Sequence, residues 1–301
     1  MPSHSLGLRL ALVLSFLAAF LTLSRAPLRA QNAAREQPLF VSAVNDKGEP
    51  VDGLGADAFV VREDGIRREV LRASRAIEPI DIALLIDNSA AAEQEITFIR
   101  DGVSRFDAQM AANNHIALIA LADRPTIFVD YSNDPKRLMD GVGRLFAMPS
   151  SGMTLLDGII ETSKGMERRE TSRAVIVPII TDGPEFTNRY YRDVVAAVRK
   201  AQAALHIVSM GLFYHSEEQG IRERSFLLDE GPRTTGGQRI SLLTPMALPD
   251  AMQRLARELS SQYKVVYGRP ESLVPPEKTE VSSARAGITM RGAPARQKAG
   301  A

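Results

Sequence analysis

The 301-residue sequence has no cysteine. Disulfides, thiol nucleophiles, iron–sulfur clusters and cysteine-ligated zinc are therefore excluded. Histidine is scarce. His4, His115, His206 and His215 are the only four, and no two stand at a ligand spacing, so a histidine-rich metal site is not expected. An excess of one charge is also lacking. There are 37 basic and 36 acidic residues, a formal net charge of +1. Such a balance creates no long-range attraction to nucleic acid or anionic lipid. A Gly-x-Gly-x-x-Gly after a strand, a Walker-type loop and a Gly-x-Ser-x-Gly elbow are all missing, so dinucleotide, phosphate-loop and α/β-hydrolase chemistry have no support.

What is present is an ordinary globular balance, 45% apolar and 24% charged. The length allows one large domain or two smaller ones. The first 30 residues hold Arg9, Arg25 and Arg29 and no acid. Their apolar run LALVLSFLAAFLTL, residues 10–23, has 14 residues, whereas a membrane span needs about 20. Fourteen suits the h-region of a secretory signal, with a small residue at Ala30. Residues 1–30 are thus expected to be a signal peptide cleaved near Ala30, with an uncleaved anchor as the alternative. The mature chain is expected in the periplasm or outside the cell, with no membrane span. Residues 31–37 are taken as a soluble leader.

Residues 38–78 predict a small antiparallel β unit. LFVSAVN and AFVVRE are strand-like, DKGEPVDGL is turn-rich, and Asp64–Gly65 marks a tight hairpin turn before IRREVLRAS. From residue 79 to 262 the pattern becomes α/β. DIALLID (81–87), HIALIAL (115–121), TIFVDYS (126–132), AVIVPIITD (174–182), LHIVSMGLF (205–213) and GQRISL (237–242) predict strands. Helices are expected at 93–111, from Pro135 behind an Asp134 cap, at 155–166, at 189–204 and at 250–261. This alternation predicts a doubly wound, mostly parallel sheet covered on both faces. Residues 263–292, with YKVVYG and a short ITM strand at 288–290, are expected to join the β unit, and 293–301 to be a disordered tail. Pro178 breaks a local rule, because it cannot donate a ladder bond, and predicts a bulge or a sheet edge.

In such a sheet, ligands gather beyond the carboxyl ends of the strands. Asp87, Asn88, Ser89, Ala90 and Ala91 follow the first buried strand, and Thr181, Asp182 and Gly183 end the fourth. Thr154 lies in a turn before a helix. Two carboxylates and two hydroxyls on one rim suit a hard divalent cation.

The order Asp87-x-Ser89, then Thr154, then Thr181-Asp182-Gly183 resembles a von Willebrand factor type A domain with its metal-ion-dependent adhesion site. The stretches at 46–65, 234–240 and 260–268 are similar to an exported bacterial subgroup with this domain, so the likeness covers about residues 38–292. The resemblance implies that Asp87, Ser89, Thr154 and Asp182 hold Mg2+ (or Mn2+ or Ca2+), with Asn88 and Gly183 at the partner contact. It also implies that an exposed carboxylate of a protein partner completes the shell. One position departs from the pattern. Ala91 stands where the family has a second serine, and Ala90 where it has glycine, which implies a degenerate site.

Taken singly, each residue has a plainer role. Asp87, Ser89 and Thr154 could be helix caps, and Asp182 an Asx-turn residue. Asp157 and Glu185 are taken as solvated, His115 and His206 as structural. The loop Thr234–Gly237 could cradle an anion or simply turn before a strand. A haloacid-dehalogenase-type phosphatase needs a second Asp two residues after the first, where Ser89 stands. The expected function is an exported, non-enzymatic binding module, metal-bridged or, with a decayed site, metal-independent; a metal-assisted hydrolase is the least favoured.

Overall fold

The computed structural model describes residues 34–211, 218–270, 274 and 276–295. The expected signal at 1–30, the start of the leader, His4, His215 and the tail from 296 onward lie outside the described residues. Strand-forming residues open the chain: β1 at Ala34–Asn45, β2 at Phe59–Glu63, β3 at Ile66–Arg68 and β4 at Val70–Arg75. β1 thus begins within the expected leader. Asp64 and Gly65, both at positive φ (49° and 82°), form the two-residue link between β2 and β3. Such a turn matches the twist of a hairpin, and Gly at its second position adopts that backbone without strain.

The α/β part follows. β5 is Asp81–Ile86, α1 Ile96–Met110, β6 His115–Ala120 and β7 Thr126–Ser132. α2 is Pro135–Gly143, capped by the Asp134 carboxylate accepting from Lys136 N at 2.9 Å. Next come α3 at Leu155–Arg168, β8 at Ala174–Ile180, α4 at Tyr191–Lys200, β9 at Ala203–Leu205 and β10 at Ile207–Met210. α5 at Gln219–Thr235, β11 at Arg239–Leu242 and α6 at Leu248–Ser260 complete it. β12 at Tyr263–Pro270, β13 at Thr279–Ser283 and β14 at Ile288–Pro294 return to the β unit. β14 therefore extends past the expected short strand and into the stretch expected to be a tail.

The central sheet runs β11-β10-β8-β5-β6-β7, with β9 also on β8. β7 is antiparallel to β6, and the other pairs are parallel. Alternate residues of β5 feed two cores. Ile82, Leu84 and Ile86 pack with Val103, Phe106 and Leu255 on the side of α1 and α6. Ala83 and Leu85 pack with Ile159, Val194 and Leu227 on the side of α3, α4 and α5. A strand buried on both faces needs such a continuous apolar run. Two antiparallel sheets, β14-β1-β12-β4 and β13-β2-β3, enclose a third core around Val41, Phe59 and Val265. Among the described residues, Glu36–Arg269 and those from Val274 onward pack as one compact unit. The buried Arg173, just before β8, joins its parts. It donates to Gln262 Oε1 and Leu259 O (both 2.7 Å), and Gln262 donates to Ser42 Oγ at 3.0 Å. The β unit is thus fastened at the amino-terminal edge of the parallel sheet, leaving the carboxyl edge clear.

Two expectations need correction. Pro178 makes neither an edge nor a bulge: it pairs in register with Leu85 in the middle of the sheet. On its other side β8 meets β9 through residue 176 and β10 from residue 179, so the missing N–H faces the break at His206. Second, α5 was not anticipated. Gly220, Gly231 and Pro232 weaken its helical signal, and Gly236 ends it at φ 81°. The loop after α5 turns into β11, and Thr234, Gly236 and Gly237 line an open cavity with Arg233, Arg239 and Lys278. A Cβ on Gly236 would collide with the Gly292 carbonyl, and one on Gly237 with that of Leu205. Both glycines are thus required by close backbone approach. His206 is wholly buried, and burial pushes its imidazole down to about 4, so it stays neutral.

Asp107, on α1, is buried with neither carboxylate oxygen hydrogen-bonded among the described residues. Burial pushes its carboxyl up to about 8. The native group stays protonated while the unfolded chain ionises near pH 4, so its contribution to stability is lost as pH rises from about 4 to about 8. Asp107→Asn removes this penalty. Urea unfolding should show it about 2–4 kcal/mol more stable than wild type at pH 7.5 and nearly equal at pH 4; a pH-independent difference contradicts the assignment.

Candidate functional site

The carboxyl edge of the sheet is held together by one side chain. Asp87, directly after β5, is 0% exposed. Its Oδ1 accepts from Ser89 N at 2.9 Å, and its Oδ2 from Thr181 N at 3.1 Å and Thr181 Oγ1 at 2.5 Å. Its own N–H donates to Ile179 O at 2.9 Å. Three of about four lone-pair sites on the carboxylate are therefore used within the chain, and the ends of β5 and β8 are locked together.

Asn88 extends the lock. Its Oδ1 accepts from Ala122 N at 2.9 Å, its Nδ2 donates to Phe146 O at 3.2 Å, and its carbonyl accepts from Met148 N at 2.8 Å. Asn88 and Gly183, the residues expected at a partner contact, are both buried, and the Asn88 amide is engaged inside the chain. Ser89 is also buried, and its Oγ has no hydrogen-bond partner among the described residues. Thr154 occupies the N-cap position of α3 without capping it; its hydroxyl donates to Leu121 O at 2.7 Å. Asp182 is exposed. Its carboxylate leans over the end of β10, where Oδ2 would lie 2.7 Å from a Cβ on Gly211. Asp87, Ser89 and Gly183 are thus gathered closely, Ser89 Oγ lying 3.7 Å from where a Gly183 Cβ would sit. Thr154 lies on an adjoining loop, tied in through Met153, which bonds Pro184 O at 3.0 Å and Phe186 N at 2.7 Å.

Glu185, expected to be solvated, is 2% exposed. It caps α3 in place of Thr154, Oε1 accepting from Leu156 N at 3.4 Å. Burial pushes its carboxyl up to about 8, against the pull of Arg224. Asp157, the other acid expected to be solvated, is half-buried and bonded to Thr187 Oγ1 and Arg189 Nε, both at 2.7 Å.

Sequence reasoning missed Arg224. This residue of α5 is 2% exposed and donates from Nη1 to the Gly183 carbonyl. Burial lowers its pKa, and the negative charges of Glu185, Asp87 and Asp182 oppose that shift. A usable signal was present in GIRERSFLLDE closed by Gly236, but the flanking Gly and Pro obscured it.

Around this closed floor, apolar side chains face outward. Phe146, Met148 and Phe186 are exposed, the last at 53%. The Phe186 ring lies over Gly152, where a Cβ would stand 2.5 Å from it.

A mostly parallel sheet flanked by helices, with acidic and hydroxyl residues at this edge, defines the class. Residues 82–185 match the family described as von Willebrand factor type A domain, and the chain carries a domain of that family. Its fold is similar to a von Willebrand factor type A protein from Catenulispora acidiphila, at 10% identity and a TM-score of 0.51 over 89% of this chain and 67% of that one. BatB from Bacteroides thetaiotaomicron is similar at 14% identity and a TM-score of 0.47, over 60% of this chain and 100% of that chain. Proximal thread matrix protein 1 from mussel byssus, whose adhesion-site motif is occupied by zinc, is similar at 12% identity and a TM-score of 0.49, over 69% of this chain and 50% of that chain. No curated protein matches the chain.

The residues present fit the family's divalent ion poorly. Asp87 is nearly saturated by in-chain donors, and Asp182 turns toward β10. A methyl stands at Ala91, packed so closely that a Cβ on Gly183 would collide with it. Of the expected ligands, the Thr154 hydroxyl is likewise engaged, on the Leu121 carbonyl. Within the chain, Asp87 serves as an acceptor that joins the ends of β5 and β8. Asp87→Ala strands two buried N–H groups and a hydroxyl, and should cost about 3 kcal/mol or more. Urea unfolding in EDTA checks this; a loss seen only when Mg2+ is present contradicts it.

Proposed function

We propose that the chain is an exported, non-enzymatic protein-interaction module that uses the carboxyl edge of its von Willebrand factor A sheet without a bound ion. The observation that carries this is the exposure of Phe146, Met148 and Phe186 around a floor whose polar groups are largely satisfied within the chain. Apolar side chains grouped at a rim support a protein contact, and polar groups spent internally support a scaffold rather than a reaction centre. The test is capture of partners by the mature protein from its own envelope fraction, with Mg2+ and with EDTA. Capture should be equal in both and should fall about tenfold in Phe186→Ser, one anchoring side chain at an interface being worth roughly 1–2 kcal/mol. Loss in EDTA, or indifference to Phe186→Ser, opposes the proposal.

A second reading is metal-bridged adhesion. Asp87, Ser89 and Thr154 would hold Mg2+, Mn2+ or Ca2+, with Asp182 nearby, and an exposed carboxylate of the partner would complete the shell. The unpartnered, buried Ser89 Oγ favours it. EDTA-sensitive capture supports this reading over the first.

Export rests on the signal-like residues 1–30. No described helix is long and apolar enough to cross a membrane. Amino-terminal sequencing of protein from the periplasm or medium should begin near Gln31; a start at Met1 supports the anchor instead.

A further inference from the structure

We infer that Arg224 is the resident cation of this rim and stands in the charge-balancing place that the family resemblance assigns to a divalent ion. The Asp87 carboxylate is removed from water, and its three hydrogen-bond donors are neutral groups. A buried carboxylate with no cation nearby is strongly disfavoured. The Arg224 guanidinium is itself buried and anchored on the carbonyl of Gly183, with the carboxyl groups of Glu185, Asp87 and Asp182 acting on it. Gly183 is the residue next to Asp182, and its α-carbon packs on the Ala91 methyl. The cation and the missing hydroxyl ligand therefore meet at one residue.

The fold builds this placement through a second glycine. A Cβ on Gly220 would collide with the Glu185 carbonyl, so the first turn of α5 lies directly on the segment after β8. Arg224 is four residues further on and lies on the same helix face. Close approach at Gly220 thus delivers the guanidinium one turn away. A divalent ion entering beside Asp87 would meet this fixed positive charge and find a methyl at the position of one expected ligand.

The inference deepens the metal-independent reading of the same rim and rests on it. Its test is a thermal melt of the full mature chain without any partner, so its failure and a failure of partner capture are separate results. Wild type and Arg224→Lys should melt at the same temperature in EDTA and in 5 mM-scale Mn2+, within about 1 °C, since only an ion bound to the native state raises the midpoint. Arg224→Met should melt roughly 5–10 °C lower in EDTA, because it leaves a buried carboxylate unpaired, and should regain at least about half of that loss in Mn2+. If Arg224→Met is recovered only unfolded, refolding from urea gives the same answer: recovery in Mn2+ but not in EDTA supports the inference. A clear rise of the wild-type midpoint with Mn2+, an Arg224→Met variant as stable as wild type, or a loss that Mn2+ does not mend overturns it.

Discussion

The carboxylate of Asp87 is the constraint on which this rim depends. It takes hydrogen bonds from its own loop and from the end of β8, so two central strands end at a fixed separation. The neighbouring loops hang from that point. Asn88 holds the 122 and 146–148 segments, and Met153 holds 184–186. Because the group is ionisable and buried, its stabilising effect depends on balanced charge. Where a carboxylate is that deeply enclosed, the positive charge nearby matters as much as the hydrogen bonds.

The molecule separates fastening from exposure. At the amino-terminal edge of the sheet, Arg173, Gln262 and Ser42 tie the β unit to the α/β part through buried polar bonds. At the carboxyl edge, Asp87, Asn88 and Ser89 turn inward, while Phe146, Met148 and Phe186 face outward. The two arrangements use similar chemistry, a buried guanidinium on backbone carbonyls, for different ends. Arg173 joins two structural parts; Arg224 supports the floor of an open edge.

Much of the fold was legible because burial on both faces leaves an unambiguous signature. DIALLI and AVIVPII are continuous apolar runs, and they became the middle of the sheet. Asp134–Pro135 announced its helix start by local chemistry alone. Asp87, Ser89 and Asp182 were legible as strand-end residues, since topology puts such positions on one edge. The directions of their side chains were not legible. Whether a hydroxyl turns to a carbonyl, as in Thr154, or a carboxylate to a neighbouring strand, as in Asp182, depends on contacts between segments far apart in the chain. Glu185 shows the same limit. An acid two residues after Gly183 looks solvated until α3 is placed against it. α5 was lost because its packing overrides weak local propensity, and Arg224 was lost with it. Pro178 misled for a related reason: the rule against proline in a central strand concerns the neighbouring strand, and here that neighbour breaks at His206.

A tethered guanidinium and an exchangeable divalent ion neutralise a carboxylate equally well, but they leave different surfaces. An ion with an open coordination position offers a partner's carboxylate a bond, and its occupancy follows the ion's concentration. A guanidinium buried beneath the Gly183 carbonyl offers no such position and is always present. On the proposed reading, a rim built this way does not draw its affinity from a bridging acid, and recognition falls to the surface above it. The exposed side chains there are Phe146, Met148 and Phe186. Burying them against a partner contributes in proportion to apolar area, roughly 25 cal/mol per Å2, and is little affected by chelators. On the proposed reading, the methyl at Ala91, the cation at Arg224 and the apolar collar form one consistent set, in which each feature lessens the need for an ion.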